Sequence, residues 1–132
     1  MKAEATKRPR LNDKDKERLQ EWGKEGADFG QLDPLLLKSG RDYALLAFWL
    51  LITHLKKGES FRWNEAYEYL KALPIAVSAS PETFSKAVKS ESNKEFFRES
   101  GEAYFLSPEA NAKVDGWIAG TSKPGSSDGK AE

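Results

Sequence analysis

The chain has 132 residues, 21 Lys and Arg against 21 Asp and Glu, one histidine and no cysteine. That length suits one domain with a modest core, and the balanced charge excludes a grip on nucleic acid by bulk charge alone. The lack of cysteine excludes disulfides and thiolate metal sites, which suits a reducing, cytoplasmic setting. Charge is unevenly spread. Residues 1–10 hold four bases and one acid, whereas residues 80–120 hold five bases and seven acids.

Residues 1–10 lack apolar periodicity, carry no signal peptide pattern and read as a disordered basic arm. Residues 11–40 form an N-terminal extension, in which Asn12 would cap a helix over Asp13 to Trp22, acid-rich in its first turn. Only Leu11, Leu19 and Trp22 are large and apolar there, so this helix either docks along a thin stripe or folds against a partner. Gly23, Gly26 and Gly30 then break the chain. Asp33-Pro34 starts a helical turn through Leu37 that ends near Ser39-Gly40.

Arg41 to Lys57 reads as the main core helix, apolar around nearly all its circumference and ended by Gly58. Its apolar run, Tyr43 to Ile52, is about half the roughly 20 residues a membrane span needs. Ser60-Phe61-Arg62 reads as a short extended segment. Asn64 would cap a helix over about 65–72 that Pro74 stops, and a loop over 75–79 leads on. Ser80-Pro81-Glu82 opens the next helix with a capping hydroxyl and a proline already at helical φ, and Phe84, Ala87 and Val88 share its inner stripe. Phe96 to Glu99, a Ser100-Gly101 turn and Glu102 to Leu106 read as a β-hairpin. Ser107-Pro108-Glu109 repeats the start signal for a last helix carrying Val114, Trp117 and Ile118. Residues 120–132 are small and polar and read as a disordered tail.

The fold class is therefore mainly α with a small β-hairpin. From Arg41 to Ala119 the order helix, extended segment, helix, helix, hairpin, helix resembles the winged helix-turn-helix family. Tyr104-Phe105-Leu106-Ser107-Pro108-Glu109 is similar to the Tyr-x-Leu-Thr-Pro-Glu-Gly exit from the wing in bacterial and archaeal members. Ser107 stands for the usual Thr and keeps the capping oxygen, and Ala110 stands for the usual Gly. The resemblance implies that the helices near 65–72 and 81–91 are the helix-turn-helix pair and the hairpin is the wing.

It also implies double-stranded DNA as partner, with the second helix in the major groove. Its outward residues would include Ser85, Lys86 and Lys89, with Asn93 and Lys94 just beyond; Ser and Asn are competent contact residues. Arg98 is the wing's base, flanked at the tip by Glu99 and Glu102, which repel phosphate. Lys7, Arg8 and Arg10 would add a salt-sensitive arm contact. The plainer readings are a solvated helix face for Lys86 and Lys89 and a solubilising terminus for the arm.

No catalytic or metal-binding pattern is present, and no cofactor is implied. His54, among Leu50, Leu51 and Leu55, reads as a core or boundary histidine, and Glu65 and Glu68 as a solvated face. Trp49 and Trp117 read as core. Trp22 and Trp63 are candidate protein-interface anchors. Alternatively, Trp22 docks the first helix and Trp63 staples the helix that follows it. The leading expectation is a small DNA-binding transcriptional regulator or mobile-element accessory protein. The other is a winged-helix interaction or dimerisation module without DNA contact.

Overall fold

A computed structural model describes residues 13–25, 30–33, 37, 39–73, 75, 77 and 79–121. The basic arm over 1–10, the Asn12 cap, the turn expected through 34–36, the Pro74 stop and the tail beyond 121 lie outside those residues. In chain order, the elements are α1 (Asp13–Lys24), α2 (Gly40–Phe48) continued by a π-helical stretch (Trp49–His54), α3 (Trp63–Ala72) and α4 (Pro81–Lys89). A 3-10 turn (Glu91–Asn93), β1 (Phe97–Ser100), β2 (Ala103–Leu106) and α5 (Pro108–Ala119) follow. Mainly helical with one hairpin is the architecture that the sequence implies.

Local capping explains most of these starts. Ser39, Ser80 and Ser107 each accept a hydrogen bond through the side chain from a backbone N–H of the first turn. Helix α3 departs from expectation. It begins at Trp63, not after Asn64, and Arg62 is its N-cap residue. The Glu65 carboxylate accepts from the Arg62 backbone N–H at 2.8 Å, which is the acidic half of a capping box.

The core helix also differs. It does not run regularly to Gly58 but widens into the π stretch, where Leu55 N–H donates to the Leu50 carbonyl at 2.7 Å. Lys56, at φ 55°, supplies the left-handed residue of the exit, and Lys57 N–H reaches the Leu51 carbonyl at 2.9 Å. Positive φ is uncommon away from glycine, so an exit signalled by Lys56 left no mark in the sequence.

Helix α2 lies at the centre of the core, buried continuously from Asp42 to Leu51. Helix α4 packs Phe84 and Val88 inward, and the Phe84 ring meets Tyr67 of α3 at 5.2 Å. Tyr67 also donates its hydroxyl to the Ala79 carbonyl at 3.0 Å, tying α3 to the approach to α4. The hairpin is antiparallel, pairing Phe97 with Leu106 and Ser100 with Ala103. Its turn is Gly101-Glu102, one residue later than expected, and Gly101 has φ 66°. The extended segment at 60–62 joins it: Phe61 and Tyr104 exchange backbone hydrogen bonds of 3.0 and 2.8 Å.

Helix α1 is two residues longer than expected and contains Gly23. It docks on α3 with Leu19 fully buried. Gly23 is no breaker here. A methyl group at this position would overlap Cβ of Ala72 and lie 3.0 Å from its carbonyl carbon, so glycine permits the close crossing.

Candidate nucleic-acid interface

Helix α4 is amphipathic. Phe84 and Val88 face the core, while Glu82, Lys86 and Lys89 are exposed and Ser85 is half-buried. Lys86 and Lys89 are three residues apart and therefore neighbours on one face. The Lys89 ammonium lies 5.8 Å from the centre of the Trp63 ring at the start of α3. That contact gives a long, flexible side chain a preferred location.

The other expected contacts separate into three groups. Asn93 leaves the contact set: its side chain is buried, and Nδ2 donates to the Ala87 carbonyl at 2.8 Å. It satisfies one of the free carbonyls at the end of α4. Lys94 is exposed but pairs with Glu91 at 3.4 Å. Arg98 is exposed on the outer face of the hairpin, across from Phe105. Glu99 and Glu102 are exposed near the tip, as the sequence places them. Lys7, Arg8 and Arg10 lie outside the described residues.

Neither candidate interface tryptophan stands free of the fold. Trp22 packs edge-on against Phe61 at 6.5 Å, with Arg18 at 5.3 Å and Lys57 at 5.2 Å from its ring centre. It docks α1, as the plainer reading has it. Trp63 is half-buried under Lys89. Among the described residues, the exposed large hydrophobic is Phe105, 36% exposed. Strand alternation places it on the outer face, opposite the buried Tyr104 and Leu106, and that period-2 pattern was readable in the sequence.

His54 is exposed, not part of the core, and stacks on Trp49 with ring centres 5.6 Å apart. The Trp49 indole N–H donates to Asp115 at 2.9 Å. Among the described residues, no group of three or more His, Cys, Asp or Glu side chains could hold a metal ion. No helix among them is long and apolar enough to cross a membrane.

Two phenols are perturbed. Burial raises Tyr69 well above its ordinary 10.0, with the Glu25 charge adding to the shift. Burial also raises Tyr104, helped by Glu99, whose carboxylate lies 3.5 Å from the hydroxyl. Both tyrosines hold their protons and serve packing.

No family model, curated protein or solved structure matches the chain.

Proposed function

We propose that the chain is a winged helix-turn-helix protein that binds duplex DNA through the outward face of α4, as a small transcriptional regulator or mobile-element accessory protein. The observation that carries this reading is the exposed Lys86 and Lys89 pair on a helix whose opposite side is sealed into the core. An α-helix fits the major groove, and two ammonium groups one turn apart can reach phosphates while Ser85 faces base edges. The Phe61–Tyr104 bridge supports the winged arrangement, because it anchors the hairpin to the segment that enters α3. The acidic tip of the hairpin, Glu99 and Glu102, supports a grip by α4 rather than by the hairpin.

Fluorescence anisotropy with a labelled duplex tests this. Two phosphate contacts imply a loss of about tenfold in affinity between roughly 50 and 200 mM salt. Lys86→Glu with Lys89→Glu should abolish binding in a variant that unfolds like the parent. Unchanged binding by that variant refutes the assignment to α4.

A second reading, contact with another protein, is favoured by Phe105 alone. There, Phe105→Ser should abolish capture of the partner while the lysine pair is dispensable.

A further inference from the structure

Charge changes sign along the outward face of α4. Glu82, Lys86 and Lys89 are exposed and Ser85 is half-buried, and their spacing of three and four residues stacks all four on one side of the helix. The carboxylate stands in the first turn and both ammonium groups in the last. Lys89 is drawn towards the start of α3, since it lies over the ring of Trp63, the first residue of that helix. Among the described residues Glu82 forms no ion pair, not even with Lys86 four residues further on.

A duplex meets this gradient in one sense only. Phosphates line the rims of the major groove, where they attract the lysine end of α4 and repel the carboxylate. The acidic end therefore points to the groove floor. At ~1.5 Å per residue Glu82 stands roughly 10 Å along the axis from Lys89, close to the ~8.5 Å depth of the groove. With Lys89 on a rim phosphate, Glu82 meets base edges.

We propose that Glu82 selects the target by accepting a hydrogen bond from a cytosine amine, so that the ligand is a duplex with a C·G pair at one fixed position. This rests on the reading of α4 as the duplex-facing helix. An ionised carboxylate offers acceptors only. Guanine O6 and N7 and thymine O4 are acceptors too and repel it, and adenine sets its N7 acceptor beside its amine. Cytosine N4 is the donor that matches. The other side chains on this face discriminate less: the Ser85 hydroxyl both donates and accepts, and the lysines donate to phosphate and guanine alike. An acid in the first turn also suits the helix dipole. That role needs no duplex and predicts no base preference, which separates the two.

The test is selection of duplexes by the full chain from a random-sequence pool, followed by fluorescence anisotropy on the retained sequences. Glu82→Gln, Glu82→Ala and Lys86→Gln/Lys89→Gln are compared with the parent. The parent should retain duplexes that share a C·G pair at one position. Glutamine pairs with adenine N6 and N7, so Glu82→Gln should move that position to A·T and bind the parent's duplex about tenfold more weakly. Glu82→Ala should leave the position open to any base. Three results would overturn the inference while the α4 reading stands, provided that the lysine variant loses binding. These are no shared position, one preferred sequence for the parent and both Glu82 variants, or a uniform gain in affinity once the carboxylate is removed. Undiminished binding by the lysine variant, or no binding by the parent at low salt, would overturn the α4 reading first, and this inference with it.

Discussion

Gly23→Ala is a substitution whose sign reports whether α1 belongs to the domain. On an isolated or loosely attached helix, replacing glycine by alanine stabilises by roughly 0.8–1.0 kcal/mol through backbone propensity. In the docked arrangement the new methyl overlaps Cβ of Ala72 and lies 3.2 Å from its Cα. Neither atom is the end of a flexible side chain, so the helices must part. Overpacking of this kind costs about 1–3 kcal/mol. Parting also loosens Leu19, which is fully buried, and the Trp22–Phe61 contact. Set against the propensity gain, the net expectation is a destabilisation of about 1 kcal/mol. For a chain of this length that lowers the melting temperature by roughly 3–5 °C. Urea unfolding followed by far-UV circular dichroism reads it. In an Ala72→Gly background the Cβ overlap disappears and only the tight backbone contacts at 3.0 and 3.2 Å remain, so Gly23→Ala should there cost less than in the parent. A rise in stability in the parent background would refute the docking of α1.

Tyr69→Phe should be neutral or stabilising, because the Tyr69 hydroxyl is buried with no hydrogen-bond partner among the described residues. Both raised phenols hold their protons more tightly folded than unfolded. Their contribution is therefore complete below the ordinary value of 10.0 and is lost as pH rises above it. Denaturation midpoints should fall on the alkaline side of that value, less steeply for Tyr69→Phe, and a flat profile would contradict the burial. Asn93→Ala should cost about 1–2 kcal/mol by orphaning the Ala87 carbonyl. At temperatures where it is folded, that variant should bind a duplex as tightly as the parent; a loss of affinity would restore Asn93 to the contact surface.

How much of this was legible follows from how local each signal is. Ser80-Pro81-Glu82 and Ser107-Pro108-Glu109 carry cap, proline and acid within three residues, and both helices start where those triplets place them. The hairpin was equally readable, apart from a shift of one residue at its turn. The π stretch was hidden because apolar residues on all sides of α2 leave no periodicity in which a widened turn would show. Gly23 reads as a breaker until α3 is laid across it. Asn93 has the chemistry of a base contact, and only the end of α4 reveals the carbonyl that holds it. The tryptophans were ambiguous for the same reason. Lys57 over Trp22 and Lys89 over Trp63 both come from positions far away in sequence.

The open edge of the hairpin bears on whether a second copy of the chain can pair with it. In the described residues, β2 is flanked by β1 on one side and by the Phe61 bridge on the other, leaving the outer edge of β1 unpaired. Such an edge invites pairing with a copy of itself. A two-fold axis through an antiparallel pair must stand perpendicular to the sheet, which keeps each face on its own side. Outward Arg98 can then oppose only outward residues, and Glu99 only those on its own face. The two registers centred on the charged residues set Arg98 against Arg98, or Glu99 against Glu99. Each like pair is unfavourable by about 0.2–1 kcal/mol, the scale of cross-strand pairs generally. Arg98→Thr with Glu99→Thr removes both penalties and adds residues that favour strands. Sedimentation equilibrium should therefore show this variant gaining mass with concentration faster than the parent. Equal behaviour would mean that the charges do not guard the edge. If they do, the outer edge of the hairpin is arranged against joining another copy.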